Sequence, residues 1–235
     1  MMAVDPNIAS VAALIGEPAR AAMLTALLGR RPLAASELAR CAGVSPQTGS
    51  AHLAQLVAGG LLSVTPNGRH RYYRLAGPQV AEVLEALAAL APAAPIHSLR
   101  QFDEARAIRF ARTCYDHLAG VVGVALTERM LERGVLLHAA HTYRVGDEGV
   151  AWLKREGLDA HQILHGRRAQ ARSCLDWSER RDHLAGAFGA AVTEWLFQRG
   201  WIARVANNRA VRLTEAGHAG FLREWGLQFT SASAR

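Results

Sequence analysis

The sequence predicts a mainly α chain with small β-hairpins: an N-terminal winged helix-turn-helix over residues 1–91, then an α-rich domain over residues 97–235 built from an internal repeat. Three observations carry that expectation. Within residues 34–75, two short helical patterns joined at Ala42-Gly43-Val44 run into a basic hairpin. At Ala91-Pro92-Ala93-Ala94-Pro95, two prolines in five residues disfavour helix on both sides. Beyond that break, the pattern of residues 117–125 returns in residues 183–191.

A first helix is expected over about residues 7–15, with Asp5 or Asn7 near its start. Glu17-Pro18 opens a second, whose Ala22, Leu24, Ala26 and Leu27 supply apolar positions up to Gly29. In the reading segment, Ser45 is a preferred N-cap, and Pro46 at the first helical position gives up no needed donor. Ala51, Leu53, Leu56 and Val57 fall roughly at helical spacing and are expected to face a core. That leaves Gln47, Thr48, Ser50 and His52 on the other side, short polar groups free to reach a major groove. Gly59-Gly60 ends the helix. Strands over 61–64 and 72–75 then flank the turn Thr65-Pro66-Asn67-Gly68, where Asn-Gly supplies the positive backbone dihedrals a tight hairpin needs. Arg69, His70 and Arg71 are placed at the tip, to meet phosphate or enter a minor groove. After Ala76-Gly77-Pro78, a helix over 79–90 carries the stripe Val80, Val83, Leu84, Leu87 and Leu90, suited to a dimer seam or to a core.

These residues resemble the ArsR/SmtB family of dimeric bacterial repressors. The resemblance rests on the ordered set Glu37-Leu38-Ala39, Ala42-Gly43-Val44-Ser45, His52-Leu53, Leu56, Gly59-Gly60-Leu61-Leu62 and Gly68-Arg69-His70-Arg71-Tyr72-Tyr73-Arg74-Leu75. It covers roughly the first ninety residues. It implies a homodimer built on the first and last helices of this domain, bound to a double-stranded DNA operator with two-fold symmetry. The family's usual metal sites are not matched. Where the arsenic-responsive pattern has two cysteines around a Val, this chain has Ala39, Arg40 and Cys41. Where the zinc-type pattern has Asp and His on the last helix, it offers Glu82 and Glu85. Cys41 is expected to be a small buried packing residue.

Composition narrows the class. The formal net charge is +7, and the excess does not sit mainly on the N-terminal module: residues 1–96 hold seven Arg against five acidic residues. The longest apolar run, 86–96, contains two prolines and is too short to cross a bilayer, so no membrane is expected. No secretion signal is visible at the N-terminus, and three cysteines cannot all pair; both point to a reducing cytoplasm. No phosphate-cradling glycine loop, nucleophile elbow or paired His-Glu metal motif appears, which argues against an enzyme.

The repeat extends over copies of about 101–157 and 167–227. Ala111-Arg112-Thr113-Cys114 answers Ala171-Arg172-Ser173-Cys174, and Thr127-Glu128 answers Thr193-Glu194. Each copy reads as a long helix, a loose hairpin and a short helix. The second carries six extra residues between its Cys and His, including Asp176-Trp177-Ser178-Glu179-Arg180. Paired glycines, Gly120/Gly123 and Gly186/Gly189, are expected where the two repeat helices cross closely.

This C-terminal domain is the expected sensor of an unidentified effector. Cys114, Asp116 and His117 cluster, with Cys114 and His117 three apart on one helix face, and Cys174 takes the equivalent place in the second copy. Two thiolates and an imidazole suit zinc or another soft metal, or the thiols a regulatory disulfide; packing alone is the competing account. Trp177, amid opposed charges, is where an effector contact is sought first. The other tryptophans (Trp152, Trp195, Trp201, Trp225) suit either an apolar ligand pocket or a core. His161 and His165, and likewise His138 and His141, read as surface histidines. The expected function is a cytoplasmic, homodimeric, sequence-specific transcriptional repressor released by its effector. DNA binding requires no cofactor. The alternatives are a metal- or redox-responsive trigger at Cys114, His117 and Cys174, or a protein-binding antirepressor.

Overall fold

The computed structural model describes residues 5–29, 31–68, 70–92, 95–140, 142–206 and 208–230. The chain forms two compact units, Met1–Leu84 and Glu85–Arg235, so the division falls ahead of the proline-rich break.

In the first unit, α1 (Ile8–Ile15) is capped by the Asn7 side chain, which accepts from the Ser10 N–H. Glu17 caps α2 (Pro18–Leu27) by accepting from the Ala19 and Arg20 N–H groups. A short strand β1 (Leu33–Ala34) leads into α3 (Ala35–Cys41). Helix α4 (Pro46–Ala58) starts where expected, the Ser45 hydroxyl accepting from the Thr48 N–H at 3.2 Å. Strands β2 (Leu62–Asn67) and β3 (His70–Leu75) form the wing, and β1 joins them in an antiparallel sheet ordered β1-β3-β2. Met23, Leu24, Leu27, Leu38, Leu53 and Leu56 make the core.

Two local expectations shift. The buried face of α4 is Gly49, Leu53 and Leu56, while Ala51 is exposed and Val57 half-buried. Gly49 sets this rotation: a Cβ there would stand 2.7 Å from the Ala39 Cβ, so α3 and α4 meet at the glycine. The wing strands run further than expected. Asn67 pairs with His70 and Pro66 with Arg71, so the turn is tighter than residues 65–68. Pro66 is tolerated because β2 is an edge strand.

Helix α5 (Pro78–Leu90) spans the division between the units. Its expected stripe is split: Leu84 is buried, whereas Val83, Leu87 and Leu90 are exposed.

The second unit continues with α6 (Leu99–Phe110), β4 (Arg112–Cys114), β5 (His117–Ala119) and α7 (Gly120–Glu132). Next come β6 (Leu136–Ala139), β7 (Thr142–Val145), α8 (Asp147–Arg155) and α9 (Ala160–His165). It ends with β8 (Arg172–Leu175), β9 (Asp182–Ala185), α10 (Gly186–Gln198), β10 (Ile202–Arg204), β11 (Val211–Leu213) and α11 (Glu215–Gly220), the last running into a π-helical turn at Phe221–Trp225. The strands pair as four antiparallel hairpins. Helix α7 packs against β9, α10 packs against β5, and β5 lies beside β9.

The glycines work differently from expectation. Gly120 and Gly186 turn strand directly into helix with φ of +79° and +87°, a region open to glycine at little steric cost. One turn on, a Cβ at Gly123 would stand 2.4 Å from the Leu118 carbonyl oxygen, and one at Gly189 2.6 Å from that of Leu184. The backbone that approaches each helix is therefore its own preceding strand, not the other helix. Trp152, Trp195, Trp201 and Trp225 fill the core in edge-on and tilted contacts, with Trp152 and Trp195 centroids 5.1 Å apart. Trp152 and Trp225 also edge a cleft of about 140 Å³ that Arg133, Glu148, Arg155 and Glu224 line with charge.

Candidate nucleic-acid interface and thiol–imidazole cluster

The N-terminal turns of α4 present Ser45, Gln47, Thr48 and Ser50 to solvent. Ser45 and Thr48 hydroxyls lie 2.9 Å apart, and Ser50 Oγ donates to the Pro46 carbonyl at 2.9 Å. The exposed row thus starts at a helix N-terminus, whose free N–H groups favour anions. His70 and Arg71 project from the wing, also exposed, and together with Ser36, Pro46, Ser50 and Ala54 they line a cleft of about 640 Å³. His52 is separated from this row. It is half-buried, with Nδ1 3.7 Å from Glu17 Oε2 and 3.5 Å from Arg20 Nη1, so it ties α4 to α2. Arg69 lies outside the described residues.

In the second unit, Cys114 and His117 do not share a helix face. They are directly opposed partners on the β4–β5 hairpin, and Cys174 and His183 are opposed partners on the β8–β9 hairpin. Opposed residues of an antiparallel pair project from the same face. The two hairpins therefore bring two Cys/His pairs together, and one ligand atom from each of the four residues lies within 4.8 Å of the others. The Cys114 and Cys174 sulfurs are 3.9 Å apart, and the two imidazoles stack with centroids 5.1 Å apart. Cys114, His117 and His183 are buried, while Cys174 is partly open.

Each imidazole is backed by a carboxylate. Asp116 Oδ1 lies 3.2 Å from His117 Nδ1, and both Asp116 oxygens accept from the Arg168 guanidinium. Asp176 Oδ2 lies 3.4 Å from His183 Nδ1 and accepts from the Gly120 N–H at 2.7 Å; its other oxygen accepts from Arg112 at 2.9 Å. Burial opposes ionisation of Asp116, but hydrogen bonds from His117 and Arg168 outweigh it and hold the carboxyl well below the usual range. Burial of Asp176 is likewise outweighed, by the Arg112 charge and its hydrogen bonds. Of the sulfurs, Cys174 takes the thiolate form, because the Cys114 thiol donates to it and two imidazoles stand beside it. That same hydrogen bond and burial push the Cys114 thiol up.

Cys41 is exposed, not packed in the helix-turn-helix, because α3 buries Leu38 and Ala39 instead. The Trp177 ring face is covered by the Arg112 guanidinium at 4.3 Å, so this residue seals the Arg112–Asp176 pair. His161, His165 and His138 are exposed; His141 lies outside the described residues. His183 and the fully buried Arg112–Asp176 pair were not anticipated. The sequence held a clue to His183, since His183-Leu184-Ala185-Gly186 matches His117-Leu118-Ala119-Gly120.

A helix-turn-helix domain model matches residues 15–65. YdfF of Bacillus subtilis (strain 168), described as an HTH-type transcriptional regulator, is 43% identical over 217 residues, covering 92% of this chain and 96% of its own. Two solved structures resemble the N-terminal part. The homodimeric winged helix-turn-helix DNA-binding domain Mb0332 from Mycobacterium bovis, described as a possible ArsR-family regulator, is 28% identical over 38% of this chain and 89% of its own, with a TM-score of 0.33. The transcriptional repressor BigR from Xylella fastidiosa is 25% identical over 37% and 88%, also with a TM-score of 0.33.

Proposed function

This chain belongs to the HTH-type transcriptional regulators, DNA-binding proteins rather than enzymes, and we propose that it acts as an ArsR-type homodimeric cytoplasmic repressor released from its operator by an effector. One observation carries the DNA-binding geometry: Ser50, in the exposed row Ser45, Gln47, Thr48 and Ser50, lines a cleft together with His70 and Arg71 of the wing. In this reading, α4 enters the major groove and the wing, with Arg69, His70 and Arg71, holds the flanking backbone. Within the first unit, exposed Ile8 and Val11 on α1 and Val83 on α5 supply apolar surface for the dimer seam. Two reading helices then engage half-sites about one or more helical turns apart.

Residues 97–235 are the proposed sensor, made of two copies at about 101–157 and 167–227. The order hairpin–helix–hairpin–helix supports this, running β4-β5-α7-β6-β7-α8 and then β8-β9-α10-β10-β11-α11. Coupling to the DNA module through α5 is supported by contacts on that helix's C-terminal half: Glu85 pairs with Arg209, and the Ala89 carbonyl accepts from Arg180 at 2.8 Å.

The test is binding of the full chain to duplex from upstream of its own gene, measured against salt. Arg71→Ala is expected to weaken binding to every duplex and to reduce the salt slope by about one for each phosphate it no longer neutralises. Gln47→Ala is expected to change which operator is preferred. Binding with no salt dependence, or an Arg71→Ala variant that matches wild type at every salt concentration, overturns the reading. Absence of binding to any duplex, the result a protein-binding antirepressor would give, overturns it as well.

A further inference from the structure

We infer that Cys114, His117, Cys174 and His183 form a closed, four-ligand tetrahedral site for a single zinc-class divalent ion, held between the β4–β5 and β8–β9 hairpins. The ligand atoms are the two Sγ and the two Nε2. This site is independent of the DNA-binding reading, and it uses none of the positions at which the family resemblance locates metal.

The sulfur separation fits a shared metal ion. A tetrahedral ion with zinc–sulfur bonds of about 2.3 Å places its two sulfurs roughly 3.8 Å apart. The observed separation is 3.9 Å. A disulfide, with an S–S bond of about 2.05 Å, would engage the two sulfurs alone and leave the imidazoles unexplained. His117 Nε2 and His183 Nε2 are buried without a well-formed hydrogen bond among the described residues, a costly state for polar atoms. A metal ion satisfies both Nε2 atoms at once.

The surroundings suit that role. Asp116 at His117 Nδ1 and Asp176 at His183 Nδ1 orient the rings so that each Nε2 points inward, the carboxylate–imidazole–metal arrangement. Each carboxylate is already balanced by an arginine, Arg168 or Arg112. Two thiolates therefore neutralise a divalent ion with no charge left over. Two sulfur and two nitrogen donors in tetrahedral array select zinc-like ions over magnesium or calcium, which require oxygen. Partial exposure at Cys174 gives the ion an entry point.

The experiment titrates chelator-treated, reduced full-length protein with Co²⁺ and follows the visible spectrum. One equivalent per chain is expected, with the intense bands of a tetrahedral ion and a thiolate-to-cobalt charge-transfer band, all bleached by Zn²⁺. Cys41→Ser is expected to leave the spectrum unchanged. Cys174→Ser is expected to lose about half of the charge-transfer intensity and to weaken binding at least tenfold, and His183→Ala to weaken it comparably. Should a variant fail to fold, X-ray absorption of the zinc-loaded wild-type chain is expected to show two sulfur and two nitrogen neighbours. The weak spectrum of octahedral cobalt without charge transfer, a cobalt spectrum unaltered by Cys174→Ser, or an absorption shell dominated by oxygen each overturns the inference. Failure of operator binding would leave these readouts untouched, and their failure would leave operator binding untouched.

Discussion

Asp176→Ala tests whether the second unit is built around a buried ion pair. Asp176 and Arg112 are both fully buried, 2.9 Å apart, and the carboxylate also accepts from the Gly120, Ser178 and Glu179 N–H groups and from the Ser178 hydroxyl. Deleting one partner of such a pair strands the other charge away from water, which costs about 3–5 kcal/mol. A unit of this size has a total stability on the order of 10 kcal/mol, so the loss is a large share of it. With a urea slope of about 2 kcal/mol/M, the midpoint is expected to fall by about 2 M. Tryptophan fluorescence is the assay, since Trp152, Trp177, Trp195, Trp201 and Trp225 all lie in the second unit. The double variant Arg112→Met/Asp176→Leu removes both charges and is expected to recover the part of the loss due to the stranded guanidinium, but not the part due to the Gly120, Ser178 and Glu179 N–H groups that lose their acceptor. A single variant within about 1 kcal/mol of wild type, the scale of a solvated surface pair, would refute the reasoning.

Four further outcomes are expected. Gly123→Ala drives a Cβ against the Leu118 carbonyl and is expected to destabilise the second unit by about 1–3 kcal/mol in the same urea assay, despite the better helix propensity of Ala. Asp116 and Asp176 titrate below their unfolded value of about 4, so their stabilisation is complete above that pH and is lost as pH falls through their depressed folded values; acid titration followed by tryptophan fluorescence is expected to show stability falling below about pH 4. Val83→Glu places a charge among the exposed apolar residues of α5 and is expected to weaken the proposed dimer about tenfold or more, read by sedimentation equilibrium. Thiol labelling of the native, reduced chain is expected to modify exposed Cys41 well before buried Cys114, read by peptide mass spectrometry.

The N-terminal elements were legible because their signals are local. Ser45 and Pro46 start α4 through contacts within one turn, and Gly68, with φ of +57°, sits at the wing tip. What local patterning missed there was rotation: the Gly49–Ala39 contact turns Ala51 outward and pulls His52 toward Glu17 and Arg20. The hairpin at Cys114 and His117 was not legible. A spacing of three fits a helix face as well as a two-residue turn, and Tyr115-Asp116 lacks the Gly or Asn that marks such turns. Tyr115 nonetheless adopts φ of +58°. Distant residues hold that hairpin in place: the Thr113 N–H donates to the Arg209 carbonyl, and Arg168 clamps Asp116.

Caps, turn residues and apolar periodicity in the sequence were enough to establish a winged helix-turn-helix and to reveal the recurrence of a Cys and a His in the second half. Those signals act over a few residues, so a single chain displays them openly. Only the packed structure decided that Cys114, His117, Cys174 and His183 converge, that Arg112 and Asp176 pair in the interior, and that the tryptophans form a core. Each of these depends on strands far apart in sequence being laid side by side, with their side chains sent to one face by pairing register. No periodicity within either strand encodes that register.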